Sequence, residues 1–352
     1  MSPVQQYTNA RVLISKIPEN TAPNKSHFRT ETITITAPEL KENELFAKTL
    51  VISLDPWIRH TFPEGTSEAP VVGYAIARVL DSKNPKFPVG ALIFGPGEWA
   101  EYNHISDPEH LADVNRYDGA IVSSGLPLST FNGILGVPAF TVWHSLRKVA
   151  DLKEGETIYI SSAAGTLGQI AGQLAKRKGL RVIGSAGSQE KIDYLIDELG
   201  FDAVFNYKTQ DKKQALLDAA GPKGLDIYYD LVGDETVDIA LEILNPKGRV
   251  ISIGTLNMHN NLPVAPIRNA EHILWKQLRF EGYTVFEFYE HFPEFWEEAV
   301  PLVKSGELKY KEHVAEARRA DGSLDLQVVS ESYVDLLAGK HSGKVSVHVA
   351  DL

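Results

Sequence analysis

A series of apolar strands that alternate with helical stretches, beginning near residue 127, is the feature that most constrains how this chain folds. The first strand, residues 156–161, runs through a glycine-containing turn into a helix that reaches Lys178. Alternation of this kind requires right-handed crossovers that bury a parallel sheet between layers of helices. It predicts a doubly wound parallel sheet, and so a fold of the α/β class. Further strands are expected at residues 180–185, 203–206, 225–231, 249–253 and 280–285, with helices at 189–199, 210–220, 235–244 and 290–304.

The first 126 residues have a different pattern, in which short runs of β-forming residues are separated by turn clusters. The segment 83–88, which holds two prolines, is typical of these turns. The spacing predicts a mainly β domain over residues 1–126, followed by the parallel-sheet domain over 127–311. Two later strands, at 327–330 and 344–349, are expected to return residues 312–352 to the first domain. The early strands are expected at residues 10–14, 30–36, 44–54, 71–80 and 91–94.

The composition removes several functional classes. The chain has 352 residues and no cysteine, which excludes disulfide scaffolds, iron–sulfur sites, thiolate nucleophiles and any metal site built on Cys ligands. Its 46 acidic and 35 basic residues give a net charge of −11, which argues against a nucleic-acid partner. No apolar run is long enough to span a bilayer, and the first residues lack the pattern of a signal peptide. We expect a cytoplasmic protein with no membrane partner.

The turn between the first strand and the first helix of the α/β series indicates the chemistry. Residues 163–168 read Ala-Ala-Gly-Thr-Leu-Gly, a form of the Gly-x-Gly-x-x-Gly fingerprint in which alanine replaces the first glycine. Gly165 would let the backbone approach a pyrophosphate, and Gly168 would let the helix pack closely on the strand. The alternative is a tight turn without a ligand. Its position between a β-branched strand and a long helix favours a dinucleotide site.

The end of the second strand predicts which dinucleotide is bound. An NAD site carries Asp or Glu there to hold the ribose hydroxyls, whereas residues 184–188 read Gly-Ser-Ala-Gly-Ser. Small residues leave room for a 2′-phosphate, and Lys191 can pair with it as a point charge. Taken alone, Lys191 is more often a solvated lysine in the first turn of a helix. The missing acid together with the lysine favours NADP(H).

These segments, with residues 200–208, resemble the medium-chain dehydrogenase/reductase superfamily. Within it they resemble the zinc-independent branch of leukotriene B4 dehydrogenases, prostaglandin reductases and alkenal double-bond reductases. The N-terminal half agrees, since Ser-Leu-Asp-Pro-Trp-Ile-Arg at 53–59 is similar to that branch's Ser-Leu-Asp-Pro-Tyr-Met-Arg. The resemblance covers nearly the whole chain. It implies a Rossmann domain that binds NADP and a mainly β, GroES-like catalytic domain.

The resemblance also implies roles for the residues that match the branch's motifs, although for each one other than the glycines the alternative is a packing role. The cofactor residues would be Gly165, Thr166, Leu167 and Gly168 at the pyrophosphate, Lys191 and Tyr207 at the adenosine phosphate, Thr141 near the nicotinamide, Gly254, Thr255 and Leu256 beside the cofactor, and Tyr283 and Val285 at the nicotinamide ribose and ring.

The chain departs from the branch at three positions. Leu231 stands where the branch usually has Asn, and it cannot make the amide hydrogen bond. His341 replaces another Asn, and it can still donate a hydrogen bond to the cofactor. His259 stands where the branch often has Tyr.

The implied reaction is NADPH-dependent reduction of the carbon–carbon double bond of an α,β-unsaturated aldehyde or ketone. It needs a hydride near the β-carbon, stabilisation of the enolate and a proton for the α-carbon, and no metal. The hydrogen-bond donor could be the nicotinamide ribose hydroxyl, Tyr74, His259 or water. Our hypothesis is that His259 takes the tyrosine's place, because a histidine can donate a proton at neutral pH. The alternative for His259 is a surface histidine.

Four aromatic residues are candidates to hold a flat, conjugated substrate, namely Trp57, Tyr74, Phe286 and Tyr289. Arg59 could hold an acidic group of the substrate, but an ion pair with Asp55 is the more expected role. Alternative functions are a zinc-independent quinone oxidoreductase, an enoyl reductase acting in trans in a biosynthetic pathway, and a redox sensor that binds NADPH without turnover. Relatives of this type are commonly homodimers, so a homodimer is expected.

Overall fold

The computed structural model describes residues 5–19, 21–63, 68–106, 115–116, 124–259 and 266–352, with only the backbone at 115–116 and 258–259. It divides into two compact units, one of Met1–Asn132 with Glu312–Leu352 and one of Gly133–Lys311. The chain passes from the first unit to the second after Asn132, later than the boundary predicted after residue 126. It returns to the first unit after Lys311. Asn132 is tied to the first unit because its amide donates to Oγ of Ser346 (3.4 Å).

The first unit is mainly β. A three-stranded sheet has the order β2-β1-β4, and a larger sheet has the order β15-β16-β3-β5-β6-β8, with β7 also paired to β3. The C-terminal strands thus pair with strands from the start of the chain. The strands are β1 (Gln6–Ile14), β2 (Phe28–Thr36), β3 (Leu45–Leu54), β4 (Ala69–Pro70), β5 (Val72–Ser82), β6 (Leu92–Glu98), β7 (Tyr102–Ile105), β8 (Asn115–Arg116), β15 (Glu312–Glu316) and β16 (Lys344–His348).

One expected strand of this unit is wrong. Residues 327–330, with two adjacent valines, form the start of helix α9 (Gln327–Leu337) rather than a strand. Val329, Tyr333 and Leu337 are buried, and their spacing of four residues places them on one side of a helix. The Tyr333 ring packs on Trp99 with centroids 5.4 Å apart, so this helix closes the core of the first unit.

The second unit confirms the predicted α/β class. The six strands described in this unit are parallel and have the order β11-β10-β9-β12-β13-β14, in which the chain reverses direction across the sheet at β9. The strands are β9 (Thr157–Ile160), β10 (Arg181–Ala186), β11 (Ala203–Asn206), β12 (Leu225–Asp230), β13 (Leu244–Ser252) and β14 (Arg279–Gly282). The helices are α1 (Val137–Lys148), α2 (Thr166–Arg177), α3 (Gln189–Asp193), α4 (Lys212–Ala220), α5 (Thr236–Ile243), α6 (Leu256–His259), α7 (Glu271–Trp275) and α8 (Phe292–Ser305).

The burial of these strands follows their position in the sheet. All four residues of the central strand β9 are buried, as expected for a parallel strand covered on both faces. The rings of Tyr159 and Tyr228 stack with centroids 5.1 Å apart on neighbouring strands. By contrast, all four residues of the edge strand β14 are exposed. The helix expected over 189–199 is α3 followed by a π-helical turn, Tyr194–Glu198.

Two buried glutamines of helix α2 hold the last residues of the second unit. Gln173 donates to the carbonyl of Lys309 (2.7 Å) and accepts from its N–H (2.8 Å). Gln169 makes the same pair of bonds with Lys311, at 3.2 and 3.0 Å. Each side-chain amide thus makes one donor and one acceptor bond to the same residue, as the backbone of a neighbouring strand would. No helix in the part of the chain that the structure describes is long and apolar enough to cross a membrane.

Candidate functional site

The turn between β9 and α2 presents the amino end of a helix at the carboxyl edge of the sheet. Ser162 adopts a left-handed conformation (φ 49°), and its carbonyl accepts the N–H of Gly165 (2.9 Å). Gly165 is the N-cap of α2, and no side chain caps the helix there. The first N–H groups of a helix lack intrahelical partners and carry partial positive charge. Those of Thr166, Leu167 and Gly168 can therefore bind an anionic group.

Gly168 is required by close packing of this helix on the turn. A Cβ at Gly168 would lie 2.6 Å from both Cα of Ala163 and the carbonyl oxygen of Ser162, which is closer than real Cβ atoms approach. At Gly165 the nearest atom would be 3.1 Å away, a milder contact. The glycine was predicted to let the helix pack on the strand, whereas its close contacts are with Ser162 and Ala163 in the turn that follows β9.

A positively charged corner lies at the end of β10. A Cβ at Gly187 would lie 2.9 Å from Oη of Tyr207 and 2.9 Å from Cε of Lys208, so both residues pack against this glycine. Burial lowers the pKa of Lys191, and the charge of Lys208 lowers it further, against a smaller opposing effect of Glu190. The two ammonium groups therefore lie within electrostatic reach of each other.

This corner fits a phosphate monoester. Two cations that repel each other gain from an anion placed between them, and Tyr207, which is 41% exposed, has a hydroxyl that can offer a further hydrogen bond. Lys191 and Tyr207 were predicted from the sequence, whereas Lys208 was missed. The available signal was its position next to Tyr207 at the end of β11, since carboxyl ends of neighbouring parallel strands meet at one edge.

Asp230, at the end of β12, is a second residue that the sequence reasoning missed. Its Oδ1 accepts from the hydroxyl of Tyr228 (2.7 Å), from the N–H groups of Val232 (3.0 Å) and Gly233 (3.1 Å), and from Oγ of Ser161 (3.3 Å). Burial raises the pKa of Asp230, while the N–H donors oppose that rise. The carboxyl group joins the turns that follow β9 and β12.

The loops after β12 and β13 form one continuous surface. The N–H of Gly254 donates to the carbonyl of Asp230 (3.2 Å), and the N–H of Asn257 donates to Val232 (2.9 Å). The candidates Gly254, Thr255 and Leu256 thus lie beside Leu231 at the carboxyl edge of the sheet. Helix α6 ends at His259, whose side chain lies outside the described part of the chain.

Tyr283 and Thr141 use their hydroxyl groups inside the protein. The N–H of Tyr283 donates to the carbonyl of Ser252 (3.0 Å), and its Oη lies 2.8 Å from Nδ1 of His144. Oγ1 of Thr141 donates to the carbonyl of Val137 (2.8 Å) within α1. Because both hydroxyl groups are hydrogen-bonded within the protein, Tyr283 and Thr141 offer a cofactor mainly their apolar surface and backbone groups.

The remaining candidates of the second unit differ in exposure. Val285 is buried, whereas Phe286, the next residue, is 59% exposed. The ring of Tyr289 lies edge-on to Phe286 at 6.5 Å and tilted on Phe292 at 5.9 Å. Phe286 is thus an accessible aromatic surface supported by an inner aromatic cluster.

In the first unit, the structure brings Trp57 and Tyr74 together. Tyr74 on β5 stacks on Phe94 at 5.1 Å, and the ring of Trp57 meets Tyr74 edge-on, also at 5.1 Å.

At the far end of the chain, the ring of His341 stacks on His313 at 4.1 Å.

The expected ion pair of Arg59 with Asp55 is wrong. Nη2 of Arg59 donates to the carbonyl of Pro18 (2.8 Å), and its guanidinium lies over the ring of Phe62. Asp55 instead pairs with the buried Lys344, with Oδ1 2.5 Å from Nζ. Lys344 also donates to the carbonyl of Leu54 (2.8 Å). A partner 289 positions away was not accessible to local sequence reasoning.

Among the described residues, no group of three or more His, Cys, Asp or Glu side chains is arranged to hold a metal ion. The groups of the second unit that can contact a cofactor are the amino end of α2, Lys191 together with Lys208, and the loops beside Leu231.

The chain is similar to several known proteins. Residues 166–305 match the family model described as zinc-binding dehydrogenase, and residues 11–114 match the N-terminal domain of oxidoreductase. The chain is 34% identical to NADP(+)-dependent 2-alkenal reductase of Nicotiana tabacum, over 91% of each chain. It is 31% identical to NADPH-dependent curcumin reductase of Escherichia coli, over 98% of each.

A similar solved structure is that of CurA from Vibrio vulnificus in complex with NADPH. It superposes with a TM-score of 0.82 at 26% identity, covering 97% of this chain and 100% of the other. Likeness to these proteins extends over both units and nearly the whole chain. The chain therefore belongs to the medium-chain dehydrogenases/reductases, in the branch that contains 2-alkenal reductase and curcumin reductase.

Proposed function

We propose that this protein is an NADP-dependent oxidoreductase that reduces the carbon–carbon double bond of α,β-unsaturated aldehydes or ketones. The observation that carries the proposal is the full-length likeness to reductases named for 2-alkenals and for curcumin. A 2-alkenal is a conjugated aldehyde, and curcumin is a conjugated ketone. The common substrate feature is an alkene activated by a neighbouring carbonyl group.

The proposed cofactor is NADP(H), and the described site fits it in two places. The amino end of α2, with Thr166, Leu167 and Gly168, would hold the pyrophosphate. Lys191, Lys208 and Tyr207 would hold the 2′-phosphate, where an NAD-binding protein carries an acid. Further proposed contacts come from Thr141, Gly254, Thr255, Leu256, Tyr283, Val285 and His341.

When bound, the reduced nicotinamide supplies the hydride. The protein must then orient the alkene and stabilise negative charge on the carbonyl oxygen. The proposed hydrogen-bond donors are Tyr74 and His259, and a ribose hydroxyl or water remains the alternative. The chain has no cysteine for the zinc ligands of alcohol dehydrogenases, so we propose that hydrogen bonds alone activate the carbonyl.

For the substrate we propose the aromatic side chains of Trp57, Phe286 and Tyr289. Phe286 is the most accessible of them, with 59% of its surface exposed. A conjugated alkene is flat, and it gains from packing against such rings. We do not propose Arg59 for the substrate, because its guanidinium already donates to the Pro18 carbonyl and lies over the Phe62 ring.

We also propose a homodimer built on the edge of the parallel sheet. Strand β14 is an edge strand, and Phe280 on it is 42% exposed. Next to it along the chain, Leu274 and Trp275 of α7 are 71% and 76% exposed. Exposed edge strands with large apolar neighbours are typical of association surfaces. A second copy of the chain would cover them.

The activity is tested by following NADPH oxidation with matched panels of 2-alkenals, enones, saturated aldehydes and quinones. We expect turnover of the conjugated carbonyl compounds and none of the saturated aldehydes. Turnover restricted to quinones would support the quinone oxidoreductase instead. Binding of NADPH without turnover of any panel would support a sensor. Product analysis must show a saturated carbonyl compound rather than an unsaturated alcohol.

Tyr74→Phe and His259→Phe test the proposed donors. Each substitution removes a polar atom while keeping a ring, so the loss of rate measures the donor. Removing one donor to a developing oxyanion costs about a hundredfold in kcat. If both variants keep the wild-type kcat and pH profile, the cofactor or solvent supplies the hydrogen bond and the proton.

A further inference from the structure

Tyr283 stands directly after the edge strand of the parallel sheet. Among the described strands, β14 has a neighbour only on its β13 side, and its four residues are exposed. The N–H of Tyr283 extends that pairing by one bond to Ser252 (3.0 Å). The segment that follows, 283–285, is therefore supported from one side by the sheet. It needs a second anchor if it is to hold a bound molecule in a fixed place.

His144 of helix α1 supplies that anchor. The two side chains are nearly inaccessible, at 3% exposure for the residue His144 and 8% for Tyr283, and Oη lies 2.8 Å from Nδ1. The His144 ring also stacks on Phe288, with centroids 4.4 Å apart and planes at 26°. Packing on the ring face and a hydrogen bond at its edge together fix the imidazole and the tyrosine.

We propose that His144 is a positioning residue which, through the hydroxyl of Tyr283, fixes segment 283–285 against the nicotinamide end of the cofactor. This inference rests on the proposed function, in which Tyr283 and Val285 contact that end. A hydride must be delivered over a short and well-aligned distance, so small displacements of the ring lower the rate strongly. A rigid second layer of side chains is the usual means of preventing such displacements.

The surroundings of His144, burial first, favour its neutral form. Burial lowers the pKa of His144, and nearby His291 and Lys148 lower it further, while Glu290 and Glu294 oppose the shift. Burial also raises the pKa of Tyr283, which keeps its hydroxyl protonated. In the neutral tautomer that carries its proton on Nε2, Nδ1 accepts from the hydroxyl of Tyr283. Protonation of Nδ1 would remove that acceptor, and it requires a lower pH than for an exposed histidine.

Three substitutions separate the hydrogen bond from packing. His144→Phe keeps an aromatic ring but has no acceptor, whereas His144→Asn places Oδ1 close to the former position of Nδ1. Tyr283→Phe removes the donor from the other side. For each variant we would measure kcat, the KM for NADPH, the pH profile of kcat and the binding of 2′,5′-ADP, which represents only the adenosine half of the cofactor.

We expect kcat to fall about tenfold or more in His144→Phe and in Tyr283→Phe, with 2′,5′-ADP binding unchanged within about twofold. His144→Asn should recover most of kcat and lose the acid limb that His144 contributes. The double variant His144→Phe/Tyr283→Phe should be no worse than either single variant, because both remove the same bond.

Two results would overturn the inference. One is that His144→Asn is as impaired as His144→Phe, which would mean that packing alone matters. The other is that the losses in the two single variants add in the double variant. Failure of the wild-type protein to bind 2′,5′-ADP would instead contradict the proposed cofactor, so the two failures are distinguishable.

Discussion

Gly168 lies so close to Ala163 that a Cβ on the glycine would be 2.6 Å from the alanine Cα. The contact is with backbone atoms, which cannot rotate away as a flexible side chain can. The first turn of α2 therefore packs against the turn that follows β9, which fixes the amino end of the helix at the edge of the sheet.

Gly168→Ala should consequently lower both stability and cofactor affinity. We expect a loss of about 1–3 kcal/mol of unfolding free energy, as for other overpacked sites, and a weaker Kd for NADPH. Gly165→Ala, whose nearest contact would be 3.1 Å, should be less affected in denaturant melts. Equal stability of the two variants would show that the turn can relax.

Lys191→Ala and Lys208→Ala should each change the choice of cofactor. We expect kcat/KM for NADPH to fall about tenfold while the value for NADH stays nearly constant, because only NADPH carries the 2′-phosphate. Lys213→Ala is the control, since that lysine pairs with Glu242 on the protein surface. An equal loss of kcat/KM for NADH would show that neither lysine acts by contacting the 2′-phosphate.

The same pair predicts a pH dependence. A lysine binds phosphate only in its charged form, and the pKa of Lys191 is lowered first by burial and then by Lys208. The charge is therefore lost at a lower pH than in an ordinary lysine. The KM for NADPH should rise toward alkaline pH while the KM for NADH does not. Identical alkaline limbs for the two cofactors would contradict this origin.

The double variant Trp275→Asp/Phe280→Asp should dissociate the proposed dimer, because it places charges of one sign where apolar side chains would be covered. Sedimentation equilibrium should give a single-chain mass, against twice that mass for the wild type. Val89→Asp, at a site 64% exposed in the first unit, is the control. A wild-type protein that sediments as a single chain would refute the dimer.

Lys344→Met should destabilise the first unit. Removing one member of a buried ion pair leaves the other charge without compensation, and such losses are about 3–5 kcal/mol. Lys25→Met removes an exposed pair with Glu331 and should cost less than about 1 kcal/mol. The midpoints of urea unfolding compare the two. Equal shifts would mean that Asp55 finds another partner or is hydrated.

Local patterns predicted the parts of this protein that depend on local chemistry. Close packing at Gly168 could be predicted because a glycine fingerprint between a strand and a helix brings the helix near the preceding backbone. The strand expected at 327–330 was wrong because β-branched residues suit strands locally, whereas the spacing of Val329, Tyr333 and Leu337 serves a helical face. Here tertiary packing overrode local preference.

Contacts between distant parts of the chain could not be predicted in this way. Asp55 was assigned to its neighbour Arg59, but its partner is Lys344, because β16 lies beside β3 in the folded sheet. Likewise, the bond between His144 and Tyr283 joins α1 to the end of β14. Such pairs depend on strand order, and nothing in the composition of either segment specifies them.

The spacing of Gln169 and Gln173 along α2 matches the spacing of the backbone groups that they bind in the last residues of the second unit. Four residues of helix rise about 6 Å, close to the roughly 6.6 Å that two residues of extended chain cover. Gln169 can therefore pair with Lys311 while Gln173 pairs with Lys309. Inserting a single residue between the glutamines would turn one amide about 100° away from its partner. The four-residue spacing of the two glutamines and the two-residue spacing of their backbone partners are therefore matched to each other.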